Sequence, residues 1–273
     1  MRSILLPLAT ALIFAAPMLA TPAGAAATDR YEVEMEMRFL GMNVGSVKLT
    51  SDVNAATIDS RMDVATAGMV RSLTGFRSEI TGAGRLDGNG DVRPERFASF
   101  YETRRETREV DVRYGDGGRV TRVATFKRGE PTPVDVPEAM QHGTIDPLSA
   151  FFTIRNWLAE VREDGSGRRT LELFDGRRRY DLHIDYLARR AATFGGGTPV
   201  LELRLQLEPI AGFNEPTNPN QRAARDVIVL VSDDDVLMPL VMRTAAVDGV
   251  DAILRTRRIC VDNGTQTCRN VRY

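Results

Sequence analysis

From Tyr31 onward, apolar and polar positions alternate with a period of two. In Tyr31-Glu32-Val33-Glu34-Met35-Glu36-Met37-Arg38-Phe39 every odd position is apolar and every even one charged, which predicts a strand with one buried face. After Gly41 the run Asn43 to Leu49 resumes the alternation, so the two form a first hairpin. Further strands are predicted over 57–64, 76–86, 96–101, 109–114, 119–126, 171–174, 179–186, 200–207, 227–232, 238–244, 252–260 and 268–273. Gly, Asn, Asp and Pro clusters such as Asp87-Gly88-Asn89-Gly90-Asp91 separate them. The series predicts an all-β fold: a large curved antiparallel sheet or barrel-like β-structure.

One stretch departs from this period. Asp146-Pro147 supplies a helix N-cap and a first-turn proline. Leu148, Phe151, Phe152, Ile154, Leu158 and Val161 then recur at helical spacing beside Trp157, and Asp164-Gly165-Ser166-Gly167 ends the run. A lone apolar helix in a β chain must bury its face against the sheet, as ordinary core or as a lid or plug over a cavity. Residues 67–73, small and apolar, suit a short helix or a rim loop.

The first 25 residues read differently again. Arg2, an apolar stretch from Ile4 to Leu19 and Ala23-Gly24-Ala25 have the order of a secretory signal peptide. The expectation is a leader over 1–25 and a single β-rich domain over 26–273, exported to the periplasm. No later stretch is long and apolar enough to span a bilayer as a helix, so no transmembrane span is expected in the mature chain. In an oxidising compartment Cys260 and Cys268, the only cysteines, read as a disulfide across a hairpin turning at Asn263-Gly264.

Composition narrows the chemistry. A formal net charge of -1 gives no electrostatic reason to expect nucleic acid as a partner. Arginine pairs such as Arg104-Arg105 and Arg257-Arg258 stand among acids or alternate with apolar residues, and read as solvated strand faces. The two histidines, His142 and His183, find no nucleophile motif: G-x-S-x-G is absent, and Ser149 lies in the predicted helix start without an oxyanion hole. Asp233-Asp234-Asp235 lacks the spacing of a calcium loop, and Gly195-Gly196-Gly197 lacks the Lys-Ser/Thr of a phosphate loop. Asn263-Gly264-Thr265 matches a glycosylation sequon but is explained by its turn. No enzyme activity, metal or other cofactor is expected.

Three segments together carry a family resemblance: the 31–46 hairpin with Val44-Gly45-Ser46, the stretch Asp146-Pro147-Leu148-Ser149-Ala150-Phe151-Phe152-Thr153-Ile154-Arg155, and the Phe174-Asp175-Gly176-Arg177-Arg178 turn. In these the chain resembles the DUF3108 family of exported bacterial proteins, which has no assigned activity and so implies no catalytic residues. A curved sheet with one helix on its concave side is also similar, at the level of fold, to periplasmic lipoprotein carriers. The function expected is that of a non-enzymatic periplasmic envelope protein binding a hydrophobic or amphipathic ligand, such as a lipid or acyl chain. Phe39, Met69, Leu73, Phe76, Phe151, Phe152 and Trp157 are the candidates to line its cavity. The alternative is a structural or interaction protein of the envelope, with a filled core and a protein partner.

Overall fold

The computed structural model describes residues 28–191, 199–213, 226–247 and 250–272. The leader expected over 1–25 and the triple glycine at 195–197 lie outside the described residues. The alternating segments form one antiparallel sheet of fifteen strands. Its first half runs β1 (Asp29–Phe39), β2 (Met42–Val53), β3 (Thr57–Thr66), β4 (Arg77–Leu86), β5 (Val92–Glu102), β6 (Thr107–Tyr114), β7 (Val120–Lys127) and β8 (Glu130–Pro131). The second half runs β9 (Gly167–Phe174), β10 (Arg179–Ala191), β11 (Pro199–Ala211), β12 (Asp226–Ser232), β13 (Pro239–Val247), β14 (Val250–Asp262) and β15 (Gln266–Asn270). A seven-residue helix α1 (Gly68–Thr74) joins β3 to β4, and α2 (Pro147–Val161) lies between β8 and β9.

Within each half, successive strands are neighbours, and the halves join where β1 pairs with β14, with Val33 opposite Ile259. This order puts β8 at one edge of the sheet and β9 at the other. The chain between them must cross from edge to edge, and it does so over the concave side, carrying α2 with it. The predicted helix is therefore interior because of topology as well as its apolar face.

The curled edges approach each other without closing. Tyr114 Oη of β6 donates to the Phe174 carbonyl of β9 at 3.3 Å. Gly176, in the β9–β10 turn at φ +84°, lies so close to Val110 and Val112 that a Cβ there would collide with both. The crossing segment seals the seam: Gly143 N–H donates to Gly118, and Ile145 exchanges backbone hydrogen bonds with Glu172 and Phe174 at the β9 edge. Two-residue β8, with its proline, blunts the other edge.

Strand boundaries depart from expectation at one instructive place. The strand expected to follow Pro94 begins at Val92, and Pro94 sits inside β5 opposite Gly84, where the register shifts. The irregular pairing accommodates a residue without an N–H. At the other end of the chain, Cys260 and Cys268 face each other between β14 and β15 and are joined as a disulfide, their Cα atoms 4.1 Å apart. Gly264 takes the positive φ of that turn.

Candidate functional site

The concave face has two unlike halves. In one, α2 fills the space. Asp146 caps it, accepting from the N–H groups of Leu148 and Ser149 and from the Ser149 hydroxyl. Leu148 packs with Val33, Met35, Val47 and Leu49 of β1 and β2, while Trp157 and Leu158 pack with Leu171, Ile184, Leu201 and Val229 of β9 to β12. Phe152 packs with Ile58 and Val92. Leu148 stands so close over β4 that a Cβ at position 82 would meet its side chain at 3.1 Å, and glycine is the residue there. Polar anchors tie the helix on both sides: Thr153 Oγ1 accepts from Val92 N–H, Asn156 donates to the Gly90 carbonyl, and Arg155 donates to Val236 while lying over the Tyr31 ring. A helix bonded to both halves of the sheet is a fixed plug rather than a lid.

Beyond the N-terminus of α2 the same inward-facing positions are only half buried, although their residues stay apolar. The strand register carries this set around the curve. Met37 of β1 is opposite Leu254 of β14, which is opposite Met242 of β13; Leu205 of β11 is opposite Val227 of β12; Met62 of β3 is opposite Ile80 of β4, with Val64 beside them. Each packs on the buried clusters and, among the described residues, is only partly covered. This half is an apolar mouth, with α1 and the β1–β2 turn on its rim.

On the β5–β7 side the mouth becomes polar. Arg108 stands opposite both Tyr101 and Lys127, on the inward side of the register. The Glu106 carboxylate accepts from the Tyr101 hydroxyl at 3.1 Å and from Arg108 Nε at 3.1 Å, with Lys127 Nζ at 3.3 Å. Two cations on one carboxylate leave the cluster net positive. Its single carboxylate is held below the usual range because the lysine, tyrosine and arginine contacts outweigh desolvation. Across the seam, the Arg177 guanidinium is near enough to act on the Tyr101 phenol, whose pKa is raised mainly by burial. The half-buried apolar set thus ends in surplus positive charge on the β5–β7 side.

The seven candidates from the sequence fall into three places. Phe152, 1% exposed, and Trp157 belong to the plugged half and are core. Phe151 is half buried on α2, edge-on to Phe152 with ring centroids 5.0 Å apart. Phe39 and Phe76 are half buried at the rim, Phe76 beside Tyr101 at 6.2 Å, while Met69 and Leu73 project from α1 at 78% and 70% exposure. The residues that line the mouth, Met37, Met62, Val64, Ile80, Leu205, Val227, Met242 and Leu254, come from alternating strand positions that look like any other core residue in sequence. Only their partial exposure marks them.

Other sequence candidates have plain structural partners. His142 Nδ1 accepts from Val120 N–H at 3.2 Å, and His183 sits between Thr170 and Glu208 at 2.9 Å from each. Asp234 accepts from Ser232 and from the N–H groups of Val236 and Leu237, as a turn residue does. On the outer face of β1 to β5, an open groove of about 500 Å³ is lined by Arg30, Asp52, Arg61, Asp63 and Arg96. These arginines pair with strand carboxylates, Arg30 with Asp52, Arg61 with Asp63 and Glu79, Arg96 with Asp111, as solvated faces do.

Among the described residues no helix is long and apolar enough to cross a membrane. No curated protein matches the chain. Solved structures similar to the chain include two proteins of unknown function. One is a β-barrel-like protein of domain of unknown function DUF1849 from Brucella abortus, 11% identical, covering 86% of this chain and 97% of that one, with a TM-score of 0.48. The other is a DUF1329 family protein from Desulfovibrio piger, also 11% identical, covering 92% and 87%, with a TM-score of 0.28. The family described as "Protein of unknown function (DUF3108)" matches residues 30–255, the whole sheet from β1 to the pairing of β14 with β13, and the chain belongs to that family.

Proposed function

We propose that this is a non-enzymatic periplasmic envelope protein that holds a hydrophobic or amphipathic ligand, such as an acyl chain, in the open half of its concave face. The observation that carries this reading is the apolar set from Met37 around to Ile80, which among the described residues is only half buried beyond the N-terminus of α2. A structural protein with a filled interior has no need of apolar side chains on an uncovered inner surface. The Arg108–Lys127–Glu106 cluster at the edge of the mouth supports a ligand with an anionic head over one with a neutral head. The disulfide fits an oxidising compartment, and the leader supplies the route there.

Delipidated protein titrated with a fluorescent fatty acid tests the reading. Saturable binding with Kd on the order of micromolar is expected. Ile80→Glu and Leu254→Glu each place a charge in the trough and abolish it, with circular dichroism unchanged. A flat titration overturns the proposal.

A further inference from the structure

The rim of the mouth carries apolar side chains where folding alone would place none. The β1–β2 hairpin turns on two residues, Leu40 and Gly41, both at positive φ (50° and 75°), since Phe39 and Met42 pair across it. That two-residue turn favours Asn or Gly, and a leucine in the left-handed region is costly. Leu40 is also 61% exposed, as is Met42. It therefore satisfies neither the backbone nor the core.

Next to the turn, Ala67 N–H donates to the Val44 carbonyl and seats α1 against β2. Met69 and Leu73, one helical turn apart, share the face of α1 that points away from the sheet, and no residue of α1 is buried. Four large apolar side chains thus project from two adjoining elements at one end of the molecule.

Arginines surround them. Arg71 lies on α1, and Arg104 lies in the β5–β6 turn with its side chain across Gly75 at the α1 C-terminus. Arg105 is beside it, and Arg128 donates to the Arg105 carbonyl. Among the described residues, none of these four guanidinium groups has a carboxylate within ion-pairing distance, whereas Glu102 and Glu106 nearby are already taken by Arg77 and by Arg108 and Lys127. Glu130 on β8 is exposed.

We infer that this end of the protein docks on an anionic phospholipid surface, with Leu40, Met42, Met69 and Leu73 inserted among the acyl chains and Arg71, Arg104 and Arg105 at the headgroups. The charge pattern selects this occupant: an apolar protein surface would match the four side chains but leave the arginines unpaired, while an anionic bilayer meets both. The docking opens the mouth toward lipid, and to that extent it rests on the ligand reading above. It is measured separately.

The chain from Ala26, which carries the whole described body, is mixed with vesicles of phosphatidylcholine, with or without phosphatidylglycerol, and floated. Binding to phosphatidylglycerol vesicles, weakened by salt, is expected. Joint Met69→Asp and Leu73→Asp substitution lowers partitioning at least tenfold, and Arg104→Ala with Arg105→Ala lowers it on the order of tenfold. Leu40→Asn raises the unfolding midpoint and weakens vesicle binding together, opposite signs that a structural role does not produce. Wild-type protein that stays unbound, or an aspartate double variant that floats as well as wild type, overturns the inference. Fatty-acid titration of the same variants without vesicles shows whether the mouth still binds ligand, so the two proposals fail independently.

Discussion

The two helices lie on the same curled sheet and teach opposite lessons. α2 has fifteen residues, an Asp cap, a proline in its first turn and seven buried positions; α1 has seven residues, no side-chain cap and none buried. The first is held by the core it fills. The second is held by its ends, through Ala67 to Val44 and through Thr74 to Arg104. Sequence at α2 answers to packing, and sequence at α1 is free to answer to what lies outside the molecule.

Substitutions separate the two regions by size of effect. Phe152→Ala should cost about 3–5 kcal/mol, since the side chain is enclosed between β3, β5 and the helix. Met69→Ala or Leu73→Ala should change stability by no more than about 0.5 kcal/mol, as their side chains touch mainly solvent. Urea denaturation of the three variants checks the contrast, and comparable losses at both helices would dissolve it.

Smaller effects sharpen the account of each end. Removing the disulfide with Cys260→Ser and Cys268→Ser should cost about 1–3 kcal/mol, because the loop it closes is short. The loss should show first as faster amide exchange in β15, which among the described residues pairs only with β14 and is exposed throughout. Asp146→Ala should cost about 2 kcal/mol by leaving two buried N–H groups of α2 uncapped.

A pH series distinguishes the charge of that cap from its hydrogen bonds. Burial pushes the Asp146 carboxyl above the ordinary aspartate range, even against its bonds to Ser149 and Leu148. Its charge is thus a cost to the folded state, present in full above the raised pKa, shrinking as pH falls through it and gone below the unfolded value. Asp146→Asn keeps an acceptor oxygen without that charge. The stability difference between wild type and this variant should shift toward wild type on acidification, and a difference constant with pH would contradict the assignment.

Much of this was legible in the residues. Alternation exposes nearly every strand because each has one face against the core and one in water, and Asp146-Pro147 announces α2 through local chemistry alone. Asn263-Gly264 announces the turn that brings Cys260 to Cys268. The mouth was illegible for a physical reason: Ile80 and Leu49 are the same kind of residue at the same kind of position, and they differ only in whether α2 reaches them. That depends on the crossing from β8 to β9, a non-local property. Phe152 and Trp157 stood out as large aromatics and proved to be core, whereas Met37 and Leu254 did not stand out and line the open half. At the rim, the signal was an absence: Leu40-Gly41 where a two-residue turn favours Asn-Gly.

The central claim is that an acyl ligand lies in the half of the concave face that α2 leaves open. Photo-crosslinking with a diazirine-bearing fatty acid, followed by peptide mapping, tests it most directly. The account predicts labels in β1, β4, β13 and β14 around Met37, Ile80, Met242 and Leu254, competed away by unlabelled fatty acid. Labels confined to peptides outside those strands, or no labelling that fatty acid competes away, would contradict it.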